Sequence, residues 1–145
     1  MTTDVKSCRP ETSLAEAVKL MWEHDCGALP VVSAERKVAG MVTDRDICIA
    51  LATRGRTADR IAAGDVTAGK AYTCLPDDDV VAALETMKAQ KVRRLPVVDA
   101  EGRLKGILSL NDVVTHAGAA TANEIVTTLT GICEHRRPVA VAGAA

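Results

Sequence analysis

The chain contains an internal repeat, and this feature constrains the fold more than any other. When the sequence is shifted by 66 residues, residues 8–47 align without a gap with residues 74–113. Twelve of the 40 aligned positions are identical, and most other core positions exchange one aliphatic residue for another. Because the two copies are this similar, we expect the same structural unit to be built twice along the chain.

Each copy shows the pattern of a strand, a helix, two strands and a second helix. A short extended segment precedes a proline, and a capping residue such as Ser13 with Glu16 three residues later begins a run with helical spacing of apolar residues. Runs rich in β-branched residues then predict two strands in each copy. We place these strands at residues 28–32, 38–43, 95–98 and 104–109. The predicted fold class is α+β, with a further helix after the second repeat.

The first helix carries two more specific expectations. Trp22 continues its apolar stripe, so we expect this side chain to pack in the core. Gly27 can take the left-handed backbone conformation that ends many helices. Its counterpart in the second copy is Arg93. We therefore expect the equivalent helix of the second copy to end in another way.

The repeat divides the chain into five segments. We assign residues 1–56 to the first repeat, 57–70 to a linker, 71–118 to the second repeat, 119–137 to a C-terminal helix and 138–145 to a disordered tail. Within the linker, Ile61 and Val66 are expected to hold a short helical turn. The C-terminal helix has an apolar side larger than a free helix should expose to water, and this predicts a contact between subunits. That side contains Ile125, Val126, Leu129, Ile132 and Cys133.

Composition excludes several classes of function. The 145 residues carry 18 basic and 19 acidic side chains, a net charge of −1, so no excess positive charge is available for nucleic acid or an anionic membrane. One Trp, one Tyr and no Phe leave no stacking platform for single-stranded nucleic acid. Apolar runs are far shorter than a bilayer span, and residues 1–12 are too polar for a signal peptide. We expect a cytoplasmic protein.

The end of the last strand in each copy carries the functional prediction. Residues 40–46 and 106–112 both read Gly, two aliphatic residues, a hydroxyl residue, two variable residues and Asp. The hydroxyl residues, Thr43 and Ser109, lie where a strand meets a helix N-terminus, and backbone N–H groups there favour an anion such as phosphate. The Asp one turn later can accept hydrogen bonds from ribose hydroxyls. Each glycine allows close approach of a ligand or of another backbone.

A purely structural interpretation explains the same motif. A hydroxyl residue followed three residues later by an acid is also a capping box, which satisfies the first N–H groups of a helix without any ligand. The motif recurs at the same place in both copies, each time shortly after Leu-Pro-Val-Val. This recurrence favours a ligand site.

With these motifs, the repeat resembles tandem cystathionine β-synthase-type (CBS) domains, a pair often called a Bateman module, over roughly residues 1–118. The resemblance implies that the copies pack about a pseudo-twofold axis and leave two clefts for adenosine compounds such as AMP, ADP, ATP, NAD or S-adenosylmethionine. It implies that the hydroxyl residue lies by the phosphate, that Asp holds the ribose diol, and that two strand segments line the adenine. The implied binding residues are Thr43, Asp46, Ser109, Asp112, Ala28, Leu29, Pro30, Leu95 and Pro96.

Three arginines are further candidates for ligand contact. Arg45 lies inside the first motif, and Arg93 and Arg94 immediately precede the second Leu-Pro-Val-Val. A guanidinium group pairs well with phosphate oxygens, so each of the three is a candidate phosphate partner. The alternative for each is a solvated surface charge.

Cysteine and histidine spacing predicts neither a metal site nor an active site. The five cysteines include no Cys-x-x-Cys, and the three histidines lack the spacing of zinc ligands. This cysteine usage fits a reducing compartment. Cys8 and Cys74 are equivalent in the repeat, so a twofold axis could bring them together, although ordinary buried thiols are more common. We expect no metal, no required cofactor and no enzyme, because no nucleophile, base and orienting acid can be assembled.

Three hypotheses about function remain. The first is a regulatory module that senses an adenosine nucleotide and signals through an unidentified effector protein or through oligomer contacts. The second is a structural dimerisation module in which the motifs are only helix caps. The third is a cysteine-based redox or metal sensor. Under the first two hypotheses we expect a homodimer, and under none of them a nucleic-acid or membrane partner.

Overall fold

The computed structural model describes residues 1–67, 71–116 and 122–134. The elements in this part of the chain are α1 (Leu14–Glu23), β1 (Ala28–Val32), β2 (Val38–Thr43), α2 (Asp44–Thr53), α3 (Ala63–Val66), α4 (Val80–Gln90), β3 (Arg94–Val98), β4 (Leu104–Ser109), α5 (Leu110–His116) and α6 (Ala122–Cys133). A single 3₁₀ turn at Ala58–Arg60 precedes α3. The predicted α+β class and the placement of the four strands are confirmed. The predicted tail at 138–145 lies outside the described residues.

The two hairpins have the same register. Ala28 lies opposite Thr43 in the antiparallel pair β1–β2, and Arg94 lies opposite Ser109 in β3–β4. Both pairs shift register at equivalent points, between Val31 and Val32 in β1 and between Val97 and Val98 in β3. The identical register follows from the ungapped repeat, because equivalent residues of the two copies occupy equivalent positions in the two hairpins.

The extended segment at the start of each copy does not form a full strand of the sheet. It adds to its hairpin through one parallel bridge, between Cys8 and Val31 in the first repeat and between Cys74 and Val97 in the second. Each bridge rests on two backbone hydrogen bonds, such as Val32 N–H to the Cys8 carbonyl at 2.9 Å.

The hairpin turns join the two repeats through a symmetric contact. Val38 N–H donates to the carbonyl of Gly102 at 3.1 Å, and Leu104 N–H donates to the carbonyl of Arg36 at 2.9 Å. Each of these residues therefore pairs with a residue from the equivalent turn of the other copy, and Lys37 bridges its own counterpart Arg103. This arrangement is the pseudo-twofold relation that the resemblance implied.

Each repeat has its own core, and the predicted linker belongs to the first one. Ile61 is 1% exposed within the cluster that also contains Leu14 and Leu29. Its carbonyl accepts from Leu14 N–H at 2.9 Å, and Ala63 N–H donates to the Thr12 carbonyl at 2.8 Å. The helical turn expected in this segment is present as α3. The segment from Ala58 to Val66 is thus a packed part of the first repeat.

Helix α6 packs against α4 within the same chain, which changes the prediction of a subunit contact at this helix. Ile125 and Ile132 lie against the second core, and Thr128 between them is 1% exposed. The Lys91 ammonium group donates to the carbonyl of Glu134 at 2.8 Å. Ile125 and Ile132 on the apolar side of α6 are therefore covered by the chain itself, whereas Val126 (62% exposed), Leu129 and Cys133 remain exposed on its surface.

Both first helices end in the same way, contrary to the prediction from Gly27. The left-handed residues are Asp25 (φ 48°) and its repeat equivalent Lys91 (φ 53°). In both repeats the next N–H donates to the carbonyl five residues earlier, Cys26 to Met21 at 2.9 Å and Val92 to Met87 at 3.0 Å. This is the hydrogen bond of a Schellman motif, with a non-glycine residue in the usual glycine position.

Trp22 was predicted to pack in the core, and this prediction is wrong, since its side chain is 87% exposed. The buried face of α1 consists of Leu14, Ala17 and Met21. Trp22 lies about 100° further round the helix from Met21, on the side that no other described element covers. As for membranes, the described helices include none that is both long and apolar enough to cross a bilayer.

Candidate functional site

The first hydroxyl-x-x-Asp motif forms the cap of α2. Asp46 Oδ2 accepts from the N–H of Thr43 at 2.9 Å and from the Thr43 hydroxyl at 2.6 Å. In return, the Asp46 N–H donates to Thr43 Oγ1 at 3.2 Å. These reciprocal bonds form a complete capping box, so the motif does cap the helix, as its structural interpretation predicts. The box occupies only one oxygen of the carboxylate.

The second motif repeats this geometry at the start of α5. Asp112 Oδ2 accepts from the N–H of Ser109 at 2.8 Å and also from the Ser109 hydroxyl. The Asp112 N–H donates to Ser109 Oγ at 3.1 Å. Here the other carboxylate oxygen also has a partner, because the Thr2 hydroxyl donates to Asp112 Oδ1 at 3.3 Å. The second motif therefore contacts a residue from the opposite end of the chain.

Thr2 reaches this position because the N-terminal segment, residues 1–6, pairs with the second repeat. Thr2 N–H donates to the carbonyl of Ile107 at 2.9 Å, and Ile107 N–H donates to the carbonyl of Thr2 at 2.9 Å. The segment crosses directly over Gly106, where a β-carbon would lie 2.7 Å from the Thr2 carbonyl oxygen. The expectation that Gly106 permits close approach of another backbone is confirmed.

A cavity of about 770 Å³ opens beside the second motif, and we call it the inter-repeat cavity. Its volume lies within the range of small-molecule sites. Both repeats and α6 contribute to its walls. The lining residues are Thr2, Asp4, Val5, Lys6, His24, Asp25, Cys26, Gly27, Ala28, Arg93, Arg94, Ile107, Ser109, Leu110, Asn111, Asp112 and Leu129.

Five of the predicted site residues line this cavity and seven do not. Those in the lining are Ala28, Arg93, Arg94, Ser109 and Asp112. Thr43, Arg45 and Asp46 lie at the start of α2 and are not part of the cavity lining, although Thr43 pairs with Ala28, which does line the cavity. The other four, Leu29, Pro30, Leu95 and Pro96, are fully buried in the two cores, where they serve hairpin packing. For these four residues, side-chain contact with a ligand in the cavity is not supported.

The cavity lining contains as many acidic as basic side chains, but only some of the basic ones form ion pairs within the described chain. Lys6 forms an ion pair with Asp4 at 3.0 Å. Arg93 and Arg94 also line the cavity, and within residues 1–67, 71–116 and 122–134 neither guanidinium group forms a salt bridge. Two cationic side chains that form no salt bridge in the described part of the chain are therefore available to an anionic ligand.

The carboxyl of Asp112 is held in its charged form. Partial burial acts to raise the pKa of Asp112, but hydrogen bonds from the side chain and backbone of Ser109, the positive charge of the N-terminus and the hydrogen bond from Thr2 hold the pKa below its usual value. A charged carboxylate is the stronger hydrogen-bond acceptor. Asp112 can therefore accept a ligand hydroxyl at neutral pH.

The cysteines do not come together into a reactive or metal-binding group. Cys8 and Cys74 are both buried and free, and each one bridges the hairpin of its own repeat. Burial raises the pKa of the Cys8 thiol to about 11, and burial together with the charge of Asp78 raises the pKa of Cys74. In the part of the chain that the structure describes, no three His, Cys, Asp or Glu side chains are placed to hold a metal ion.

Most of the cavity wall was not predicted from the sequence. Thr2, Lys6 and Leu129 belong to segments far apart in the chain, and no local pattern marks them. One signal was available, because Gly27 and Ala28 are the repeat equivalents of Arg93 and Arg94, and all four line the cavity. Ala28, Arg93 and Arg94 were predicted as ligand contacts, whereas Gly27, the repeat equivalent of Arg93, was predicted only to end a helix.

Comparison with known proteins identifies the repeats. The family model described as CBS domain matches residues 1–53 and again residues 63–118. The chain is 33% identical over 129 residues to the CBS domain-containing protein YhcV of Bacillus subtilis, a match that covers 85% of this chain and 90% of YhcV. It is 31% identical over 111 residues to the uncharacterized protein MK0525 of Methanopyrus kandleri, covering 77% of this chain and 57% of MK0525. The chain thus spans little more than half of MK0525.

Solved structures with similar folds include proteins crystallised with ligands. Hypoxic Response Protein I with two coordinated zinc ions has a TM-score of 0.75 at 32% identity, covering 81% of this chain and 95% of that one. CBSX2 in complex with AMP has a TM-score of 0.70 at 28% identity, covering 81% and 91%. The CBS domain pair of MJ0100 with 5′-methylthioadenosine and S-adenosyl-L-methionine has a TM-score of 0.72 at 25% identity, covering 81% and 94%.

Proposed function

Because this chain belongs to the CBS-domain family, as a tandem pair of CBS repeats, we propose that it is a regulatory module that binds an adenosine nucleotide in the inter-repeat cavity. The observation that carries the proposal is the position of Asp112, a charged carboxylate on the wall of a cavity of about 770 Å³. The complexes of CBSX2 with AMP and of MJ0100 with S-adenosyl-L-methionine support the choice of ligand class.

Within that class, we favour a ligand that carries phosphate, such as AMP. Arg93 and Arg94 line the same cavity as Asp112 and have no salt-bridge partner in the described chain. A phosphate group would supply the missing counter-ion, whereas S-adenosylmethionine carries a positive sulfonium centre beside its carboxylate. The proposal assigns no catalytic reaction to the chain. Bound nucleotide would act by changing how the module contacts a partner protein or a second copy.

The test is calorimetric titration with AMP, ADP, ATP, NAD and S-adenosylmethionine. We expect binding of at least AMP, and we expect Asp112→Asn to weaken it tenfold or more, because a hydrogen bond to a charged group contributes about 1.5–3 kcal/mol. Asp46→Asn is the matched control, since it removes the same charge from an identical capping box outside the cavity. Absence of binding to every compound would refute the proposal.

The Asp46→Asn variant also tests whether a nucleotide binds in the cleft of the first repeat, one of the two clefts that the resemblance implies. Thr43 and Asp46 have the motif that the resemblance assigns to a second nucleotide site, and this assignment stays a prediction. If Asp46→Asn weakens AMP binding and Asp112→Asn does not, the nucleotide occupies the first cleft and our placement of the site is incorrect. If both variants remove one of two binding events, both clefts are occupied.

The arginines have a separate test. Arg94→Gln should weaken the binding of AMP and leave the binding of adenosine unchanged, because only AMP carries the phosphate. Arg45→Gln, which lies outside the cavity, should change neither. Equal weakening of AMP and adenosine in Arg94→Gln would show that this arginine does not contact phosphate.

A dimerisation module is the second candidate, and it is supported by an uncovered surface on the first repeat. We define the α1–α2 face by Val18, Trp22, Cys48 and Leu51, which line an apolar groove of about 560 Å³. Val18 is 43% exposed, whereas its repeat equivalent Leu84 is 1% exposed because α6 packs on α4. In the first repeat, the 3₁₀ turn at Ala58–Arg60 and α2 contact α1 but leave Val18 and Trp22 exposed, so a second copy is the occupant that we propose.

Sedimentation or light scattering of purified protein tests this candidate. We expect a homodimer at micromolar concentration and a monomer for Trp22→Glu, which places a charge on the α1–α2 face. Val126→Glu, on the outer surface of α6, is the matched control and should remain dimeric. A monomeric wild-type protein would exclude this function. AMP binding measured on both variants separates ligand binding from assembly.

A further inference from the structure

We propose that Thr2 is a ligand-binding residue, and that its hydroxyl and the carboxylate of Asp112 together accept the two neighbouring hydroxyls of a ribose. This inference rests on the proposed function, because it concerns the sugar of the nucleotide in the inter-repeat cavity. It adds a binding residue that lies 110 positions from the motif in the sequence.

The backbone fixes Thr2 in place before any ligand arrives. Its N–H and carbonyl both pair with Ile107 at 2.9 Å, in the middle of strand β4. The absence of a side chain at Gly106 lets the two backbones approach, since a β-carbon there would lie 2.7 Å from the Thr2 carbonyl oxygen. Thr2 is therefore a fixed part of the cavity wall, and its binding role needs no movement of the N-terminal segment.

The hydrogen bonds around Asp112 leave two acceptors next to each other. Oδ2 of Asp112 is occupied by the N–H and hydroxyl of Ser109. Oδ1 accepts from the Thr2 hydroxyl at 3.3 Å and retains capacity for one more donor. The Thr2 oxygen, having donated its only hydrogen to Asp112, can itself accept. The cavity thus presents two oxygens, one on Asp112 and one on Thr2, that match the two adjacent donors of a ribose diol.

The first repeat does not have this arrangement in the part of the chain that is described. Asp46 Oδ2 is occupied by the N–H and hydroxyl of Thr43, as in the second repeat. None of the hydroxyls in residues 1–67, 71–116 and 122–134 donates to Asp46 Oδ1. The paired acceptors therefore distinguish the second motif from the first.

The experiment is calorimetric titration of the full chain, tagged at its C-terminal end, with AMP, 2′-deoxy-AMP and 3′-deoxy-AMP. Thr2→Val removes the hydroxyl and keeps the shape and backbone pairing of Thr2. We expect it to bind AMP about fivefold more weakly, the effect of one neutral hydrogen bond. Because Thr2 accepts only one of the two hydroxyls, the variant should also lose the ability to distinguish AMP from one of the deoxynucleotides.

Two further variants serve as controls. Thr2→Ser keeps the hydroxyl and should behave as wild type toward all three nucleotides. Thr3→Val makes the same change at the next residue, which is exposed and does not line the cavity. It should leave binding unchanged. Thermal unfolding without ligand should give the same midpoint for all of these proteins.

Two outcomes would overturn the inference. If wild-type protein binds AMP and Thr2→Val discriminates against both deoxynucleotides as wild type does, Thr2 does not contact the ribose and only this inference fails. The same holds if Thr2→Val weakens all three nucleotides equally. If wild-type protein binds none of the three nucleotides, the proposed AMP site fails and the inference fails with it.

Discussion

The carbonyl oxygen of Thr2 lies 2.7 Å from the point that a β-carbon on Gly106 would occupy. Real β-carbons do not approach a carbonyl oxygen this closely, and this nearest atom belongs to the backbone, which cannot move aside as the end of a long side chain can. Gly106 is thus required by the crossing of the N-terminal segment over β4. This relationship ties the first six residues of the chain to the wall of the inter-repeat cavity.

We therefore expect Gly106→Ala to displace the N-terminal segment. Loss of the two Thr2–Ile107 hydrogen bonds and the forced backbone shift should lower the free energy of unfolding by about 1–3 kcal/mol. AMP binding should weaken as well, because Thr2 and Lys6 leave the cavity wall. Urea unfolding and calorimetry measure the two effects. Gly55→Ala is the control, since Gly55 has a positive φ and no neighbouring atom within 4 Å. It should cost stability without changing AMP binding.

The low pKa of Asp112 predicts a dependence of stability on pH. Its folded-state pKa is below its ordinary value of about 3.9, so the charged form stabilises the folded state above that pH, and this contribution is lost as the pH falls through the folded-state pKa. The difference in free energy of unfolding between wild type and Asp112→Asn should be constant from neutral pH to about pH 5 and shrink below pH 4. Urea unfolding across this range measures it. A difference that grows with acidification would contradict the assignment.

Ile61 should behave as a core residue of the first repeat. It is 1% exposed, so Ile61→Ala should lower the free energy of unfolding by about 2–5 kcal/mol. Arg60→Ala, at the exposed end of the adjacent turn, is the control and should change stability by less than about 0.5 kcal/mol. Chemical unfolding measures both. A small effect at Ile61 would mean that this segment is a loose connection between the repeats.

The thiols should fall into two classes of reactivity. Cys48 and Cys133 are exposed and should react quickly with a thiol reagent in the folded protein. Cys8 and Cys74 should react only on unfolding, because they are buried and their pKa values are raised, which suppresses the reactive thiolate. Unfolding in guanidinium should then expose all five thiols. Rapid reaction of Cys8 in the folded protein would revive the hypothesis of a cysteine-based sensor.

Local structure was predicted well wherever it depended on residues close in sequence. The two hairpins follow from β-branched runs, their matching register from the ungapped repeat, and both capping boxes from a hydroxyl three residues before an acid. The ends of α1 and α4 were the exception. At these two helix ends, Asp25 and Lys91 adopt the left-handed backbone conformation that glycine usually provides.

Exposure was harder to predict, because it depends on what packs over a helix. Val18 and Leu84 occupy equivalent positions, yet one is 43% and the other 1% exposed. The difference comes from α6, which packs along α4, whereas α1 is contacted by the short 3₁₀ turn at Ala58–Arg60 and by α2, and these leave Val18 exposed. The exposure of Trp22 has the same cause. Helical spacing identifies an apolar stripe, and it does not tell how wide a stripe the neighbouring elements will cover.

By itself, the sequence determined that this protein is built from two equivalent α+β units, each ending in a hydroxyl-x-x-Asp motif, because a repeat and a capping pattern are local properties of the chain. Only the tertiary structure decided that the two motifs are unequal. The N-terminal segment crosses to Gly106 and brings Thr2 to Asp112, and Arg94 and Ala28 line one cavity. These contacts join residues far apart in sequence, and they exist only because two folded repeats pack against each other about a pseudo-twofold axis.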